Sequence, residues 1–516
     1  MLLQRPELED VKKLAGELGI SLTDTEAHLF RIRILEHIEA MEQFQELRIE
    51  EDRPPLRRLE RDPGYRPTAS EDPLNVFIRK CHIQGPTGRP LSSKSVGLKD
   101  HIAVAGVPLT LGSRFMEGYV PDFDASIVTR LLDAGATIAG KMNMEDFSFG
   151  GPGFSGVGDF GRPLNPCNNA YVTGGSSSGS AAAVVAGEVD IAFGGDQGGS
   201  VRIPAAWTGC VGLMPTHGLV PHTGVFGLEA TIDYVGPLTR DVESLASVMR
   251  CVAGRDGYDP RQSTVPAPLP DFDAALNQEI DGLRIGIVKE GFGIDGGETD
   301  VDDGTIEALA VLEKAGASLQ EVSIPAHRTA SLAILPLYLE GTKLLYDTNL
   351  AGAFSDTFYP SSIMAAFGRA KESHSHELPL NFKLNLISGT YAQRRYNGRF
   401  YAKANNVRPT IIRRFLDVFE DFDLLAMPTV PRKANAFEEP ADYQEAIDQT
   451  LFGGKNGSDI QLIIANTAPY NYTGFPAIAF PCGTSGDLPL STQLVAPYFR
   501  DDLLIRVAHK YQRLLT

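Results

Sequence analysis

Residues 174–205 read GGSSSGSAAAVVAGEVDIAFGGDQGGSVRIPA. A serine-rich turn leads into an alanine-rich helix at 180–186, a strand at 189–193 and a second turn, Gly194-Gly195-Asp196-Gln197-Gly198-Gly199-Ser200. Glycine at 198 and 199 opens backbone conformations that side chains disfavour, so successive N–H groups can converge on one point. A hydroxyl closing such a nest can attack a carbonyl while the same N–H groups hold the developing oxyanion. Taken alone, the glycines are better explained by a plain tight turn.

Outward from this stretch the chain keeps the same rhythm. Residues 126–133 read as a helix and 136–141 as the strand that follows; 283–288 read as a strand, 305–315 as a helix and 317–324 as a strand. Alternation of this kind predicts an α/β fold with a mixed, mostly parallel twisted central sheet covered by helices on both faces. The first 75 residues differ. Leu8, Val11, Leu14 and Leu18 recur at helical spacing with Gly19 at the C-cap, and Thr23-Asp24-Thr25-Glu26 has the capping-box pattern of a second helix reaching about residue 47. Pro54, Pro55, Pro63, Pro67 and Pro73 then mark 48–73 as an extended linker. The expected organisation is a small N-terminal all-α domain with its linker over 1–75, and one large domain over 76–516. Two short helices bury little surface alone, so they must pack on the main body or on a second copy of the chain.

With 43% apolar and 22% charged residues among 516, a large buried core is available. A net charge of −18 repels phosphate backbones and anionic lipid, which argues against nucleic-acid and membrane partners. The five cysteines (81, 167, 210, 251, 482) are widely spaced and form no C-x-x-C, so neither a disulfide framework nor a zinc cluster is expected. The N-terminus lacks the apolar core of a signal peptide, and no apolar run reaches spanning length; the expectation is a reduced, cytoplasmic protein.

Three short motifs mimic better-known patterns. Residues 291–296 (GFGIDG) satisfy G-x-G-x-x-G after a strand, yet the following helix is expected only beyond the acidic run 298–303, which would repel a pyrophosphate. Residues 151–156 (GPGFSG) match the same pattern with no strand leading in. Gly175-Ser176-Ser177-Ser178-Gly179 satisfies G-x-S-x-G with Ser177 at its centre, but 168–173 is a poor strand for a nucleophile elbow. Among ten histidines only His374 and His376 form a close pair, and none reads as a ligand or base.

The full pattern resembles the amidase signature hydrolases. Two glycine–serine blocks carry Ser176 and Ser200, 24 residues apart, trailed by Ser200-Val201-Arg202-Ile203-Pro204-Ala205. The resemblance runs from about residue 86 to 516. It includes Val96-Gly97-Leu98-Lys99-Asp100, Thr231-Ile232-Asp233-Tyr234-Val235-Gly236-Pro237 and Gly474-Phe475-Pro476-Ala477-Ile478. It implies Lys99 as base, Ser176 as relay serine behind a cis Gly175–Ser176 bond, and Ser200 as nucleophile. The N–H groups of Gln197, Gly198, Gly199 and Ser200 would form the oxyanion hole, with Asp196 and Arg202 bracing the loop. Gly150 would offer its carbonyl to substrate, and no metal or cofactor is implied. The chemistry has a physical reason. Serine is a weak nucleophile, and an ammonium cannot be its base, so Lys99 must be held neutral by burial.

Within that family the Asp196-Gln197-Gly198-Gly199 variant, Gly218-Leu219-Val220-Pro221-His222-Thr223-Gly224 and the helical extension resemble bacterial acylamide amidases associated with nitrile metabolism. That implies an amide substrate with an aliphatic or aromatic acyl group, an acyl-enzyme, and a homodimer joined by the extension. The acyl pocket is expected at 145–156 and near Ile232, with Met142, Phe147, Phe149 and Phe154 as its apolar lining. Two alternatives stand beside it: the glutaminase subunit of a tRNA-dependent amidotransferase, and a non-catalytic scaffold.

Overall fold

The structure, a computed structural model of the full chain, describes every residue except 1–2, 48, 58, 151–158, 353–356, 453–459 and 516. The chain divides into two compact units, Met1–Arg53 and Pro54–Thr516. In the first, helices span Leu8–Glu17 and Asp24–Glu46. The capping box forms as read: Thr23 N donates to Glu26 Oε2 at 2.8 Å and Glu26 N to Thr23 Oγ1 at 3.3 Å. Gly19, at φ +75, follows the first helix. Leu18, Phe44 and Leu47 are more than half exposed.

The boundary lies earlier than residue 75. The proline-rich segment from Pro54 belongs to the larger unit because its arginines find buried and surface carboxylates there. Arg57 pairs with Asp133 at 2.6 Å and Arg61 with the buried Asp124 at 2.7 Å.

The larger unit is built on an eleven-stranded sheet. The strands are β1 (Phe77–Gln84), β2 (Ser95–Lys99), β3 (Thr137–Met142), β4 (Ile191–Asp196), β5 (Val211–Met214) and β6 (Tyr234–Thr239). They continue with β7 (Arg284–Val288), β8 (Ser318–Val322), β9 (Leu424–Pro428), β10 (Ala477–Ser485) and β11 (Leu488–Val495). Their order is β1-β3-β2-β4-β6-β5-β10-β11-β9-β7-β8. The mixed α/β class therefore holds, with a different balance of pairings. Only β2–β3, β2–β4, β7–β8 and β7–β9 are parallel; the other six are antiparallel. The middle of the sheet departs because β10 and β11 form a hairpin across Gly486-Asp487, which brings antiparallel neighbours on both sides.

Side-chain alternation along the strands feeds two apolar layers. Ile191, Phe193, Leu424, Ala426, Ile478 and Leu494 join one core with helices Ser126–Asp133, Val242–Val252 and Asp501–Leu515. Leu425, Met427, Ala477 and Val495 join another with helices Ala326–Pro336, Arg399–Phe419 and Ala468–Thr473. The helix expected at 305–315 spans Thr299–Lys314, so Asp300 and Asp302 occupy its first turn, where they complement the positive end of its dipole. Gly293 N donates to Asp302 Oδ2 at 2.9 Å, which commits the glycine-rich turn before it.

For the site the decisive pairing is β2 with β4, parallel, with Leu98 opposite Phe193. Both strands run out at the same end of the sheet, where loops from parallel strands converge. Lys99 ends one and Asp196 the other.

Candidate active site

Lys99 is fully buried and its Nζ is hydrogen-bonded to Ser176 Oγ at 2.7 Å. Burial drives its pKa down to about 7, against the opposing pull of Glu145, Asp196 and Asp233. The residue after it anchors the strand end: Asp100 accepts from the buried Lys141 Nζ at 2.8 Å, from Thr110 N at 2.8 Å and from Thr110 Oγ1 at 2.5 Å. His101, also buried, lies against Gly195 and is held neutral, first by burial and then by Lys99, His222 and Lys141.

The serine-rich turn enters the helix Ser178–Ala186, and the Gly175–Ser176 bond is cis, as the resemblance implies. Ser176 O accepts from Glu145 N at 3.1 Å, and Ser177 N donates to Ser200 O at 3.2 Å, which ties the two serine turns together. Ser177 Oγ is spent on the Gly195 carbonyl at 3.1 Å, so the centre of the G-x-S-x-G match is a structural residue. The structure thus brings Lys99, Ser176 and the Ser200 turn into one neighbourhood. Among the described residues no hydrogen bond joins the Ser176 and Ser200 hydroxyls.

Asp196 organises the glycine turn. Its carboxylate accepts from Gly199 N at 2.7 Å, Val201 N at 3.0 Å, Arg202 Nε at 3.1 Å and Asn471 Nδ2 at 2.8 Å. Although burial pushes its pKa upward, the Arg202 guanidinium and these donors hold it below the usual carboxylate value. Arg202, wholly buried, also donates to Gln493 Oε1 at 2.8 Å and Asn471 Oδ1 at 2.6 Å. One expectation changes here. The Gly199 N–H points back to Asp196 and is not available to an oxyanion, whereas those of Gln197, Gly198 and Ser200 have no partner among the described residues. Gly199 sits at φ +133, where a Cβ would meet Ile203 Cδ1 at 2.6 Å, and Thr467 Oγ1 fastens the Gly198 carbonyl at 2.5 Å.

Ser200, 5% exposed, opens on a cavity of about 120 Å³ shared with Gly198 and Gly150. Its apolar wall comes from Phe149, Ile203, Leu228, Leu335, Ile460 and Ile464, with Ser148, Tyr338, Asn381, Asn385 and Gln461 as polar members. No lysine, arginine, aspartate, glutamate or histidine lines it among the described residues.

The expected acyl lining is corrected in part. Phe149 and Gly150 line the cavity. Met142 packs with the small residues of the helix 178–186, and Ile232 lies in the core with Tyr234 and Trp207. Phe147 stacks on Phe382 with ring centres 4.4 Å apart. Phe154 and the 151–156 motif lie outside the described residues. Sequence reasoning missed Thr467, Asn471 and Gln493, which arrive from the far end of the chain. Asn381 and Asn385 were missed too; their i, i+4 spacing on one helix face was the available signal.

The model of the Amidase family matches residues 79–505. The chain belongs to the amidase signature family. As such it is a hydrolase acting on amide C–N bonds. It is 38% identical over 451 residues to an enantioselective amidase of Rhodococcus rhodochrous, covering 86% of this chain and 84% of that one. It is 37% identical over 436 residues to the A subunit of the glutamyl-tRNA(Gln) amidotransferase of Natronomonas pharaonis, covering 84% and 98%. Among solved structures, the corresponding amidotransferase chain from Thermotoga maritima superposes with a TM-score of 0.66 at 28% identity, covering 85% of this chain and 87% of that one. Among the described residues of this amidase, no cluster of histidine, cysteine, aspartate and glutamate could hold a metal, and no helix is long and apolar enough to cross a membrane.

Proposed function

We propose that this amidase hydrolyses small aliphatic or aromatic acylamides to a carboxylate and ammonia or amine through a Ser200 acyl-enzyme. The observation that carries the reading is the buried Lys99 amine, with a pKa of about 7, in hydrogen-bond contact with Ser176. At neutral pH a large fraction of Lys99 carries a free lone pair. It takes the Ser176 proton as Ser176 takes that of Ser200, and the Ser200 oxygen adds to the carbonyl. The N–H groups of Gln197, Gly198 and Ser200 stabilise the oxyanion. Gly150 offers its carbonyl to the substrate amide. Collapse runs the relay backward, protonating the leaving nitrogen, and water then releases the acid. The Ser176–Ser200 leg is the one substrate binding must tighten, as catalytic contacts in unliganded sites often do. Replacing Ser200 with alanine should abolish amide turnover; wild-type-like turnover of that variant refutes the assignment.

The many amidotransferase relatives favour a second reading, a glutaminase working within a complex. Glutamine carries an α-carboxylate, and a cavity with an apolar wall and no cationic side chain among the described residues offers it no counter-ion. Glutamine outperforming neutral acylamides as substrate would reverse the preference.

We also propose a homodimer joined through the N-terminal helices. Leu14, Leu18, Leu29, Phe30, Met41 and Phe44 are each more than half exposed there, and exposed apolar side chains gathered on two short helices suit a contact with a second copy. Light scattering on the full chain should give twice 55.8 kDa, and a mass of one chain counts against it. A cytoplasmic location is part of the same reading.

A further inference from the structure

Helix Leu380–Tyr396 contributes two carboxamides, Asn381 and Asn385, one turn apart, to the cavity into which Ser200 opens. Each has its nitrogen committed. Asn381 Nδ2 donates to the Phe149 carbonyl at 2.8 Å, and Asn385 Nδ2 donates to the Asn381 carbonyl at 2.9 Å. These bonds fix which end of each amide is oxygen. Neither Oδ1 accepts a hydrogen bond from any described residue. Both side chains are half-buried, so neither is simply a solvated surface amide. The cavity therefore sets two acceptors against an apolar wall made by residues such as Leu228, Leu335 and Ile464.

An acyl group that is apolar throughout would desolvate those two oxygens without replacing their water, at a cost for each. One carrying a hydroxyl, amine or N–H would satisfy them. We propose that the cavity selects acylamides whose acyl group is mainly apolar and bears a hydrogen-bond donor, received by Asn381 Oδ1 and Asn385 Oδ1. The proposal rests on Ser200 being the acylated residue and goes beyond it by naming the acyl class.

The test uses the full-length enzyme and pairs of primary amides, each pair differing only in hydroxyl, ammonium or methyl at the same carbon. Position 2, position 3 and the para position of a 3-phenylpropanamide are sampled in turn. At one of these positions the hydroxyl or ammonium amide should exceed its methyl partner in kcat/KM by about tenfold, the discrimination of one or two hydrogen bonds. In Asn385→Leu that ratio should fall toward one. In Asn385→Asp, which keeps an acceptor and adds a charge, it should persist and shift toward the ammonium member. Asn381→Leu should lower it as well. Asn385→Leu is the cleaner probe, because Asn381 also holds the Phe149 carbonyl. Equal rates within every pair of the wild-type enzyme, or a ratio that Asn385→Leu leaves unmoved, overturns the proposal while hydrolysis of the methyl amides still upholds the Ser200 reading. Hydrolysis of none of the amides removes both.

Discussion

Lys99→Met replaces a fully buried amine with an apolar side chain of similar length. In the wild type this amine enters the folded interior with its pKa lowered from 10.5 to about 7, chiefly by burial. At neutral pH folding must therefore strip a proton that the unfolded chain holds firmly. At roughly 1.4 kcal/mol per pKa unit, the penalty is on the order of 4–5 kcal/mol at pH 7. Methionine avoids it but leaves Ser176 Oγ without its partner, which costs about 1–3 kcal/mol. The variant should be more stable than wild type by about 2 kcal/mol at pH 7, and inactive on amides. The sign of the pH dependence separates this from ordinary core packing. Between pH 7 and 10.5 the unfolded lysine is protonated and the folded one is not, so wild-type stability rises with pH relative to the variant. The advantage of Lys99→Met should shrink by roughly 1.4 kcal/mol per pH unit and vanish or reverse near pH 10. Thermal unfolding of both proteins at pH 7, 8.5 and 10 at one scan rate reads the difference, with all other titrating groups common to the pair. A variant less stable than wild type by the same margin at all three pH values refutes a neutral buried Lys99.

Four further outcomes follow from the same geometry. The kcat/KM of the wild type for a neutral amide should rise through about pH 7 as Lys99 loses its proton, and Lys99→Ala should slow amides more than activated esters, which need less help at the leaving group; equal losses on both count against the relay. Arg202→Met leaves the buried Asp196 carboxylate unpaired and should cost about 3–5 kcal/mol, visible as a fall in the unfolding midpoint, whereas a loss under about 1 kcal/mol would show that Asn471 and the backbone donors suffice. Gly199→Ala places a methyl against Ile203 and Thr467 at φ +133, so activity on amides should drop by at least about tenfold, with retained activity showing that the turn tolerates movement.

The parts of this protein legible in its sequence are those whose partners are close along the chain. Helix Ser126–Asp133 and strands β3, β4 and β7 follow from local periodicity, and the capping box at Thr23 fixes its helix start to the residue. The glycines before Ser200 mark a possible nest of N–H groups, but Ser176 is picked out only by the resemblance. Lys99 was legible only through the resemblance, since an isolated lysine after a strand carries no signal of burial. The mostly parallel sheet misled because alternation along the chain does not show which strands pair: β6 runs antiparallel to both β4 and β5, and the β10–β11 hairpin, signalled by Gly486-Asp487, sits in the middle of the sheet. The oxyanion donors were over-counted for a geometric reason, because only three-dimensional closure shows the Asp196 carboxylate drawing the Gly199 N–H away. Thr467, Asn471 and Gln493 reach the turn from well over two hundred residues later, beyond any local pattern.

The chemistry stands or falls on which oxygen becomes acylated and whether an uncharged amine activates it. Intact-mass spectrometry and peptide mapping after brief exposure to a p-nitrophenyl ester of a slowly released acid address both at once. One acyl group should appear on the fragment that carries Ser200 and not Ser176, at a rate that climbs through about pH 7, and Lys99→Ala should lower that rate by a smaller factor than it lowers amide turnover. Acylation at Ser176 or Ser177, or labelling that survives Ser200→Ala, contradicts the account.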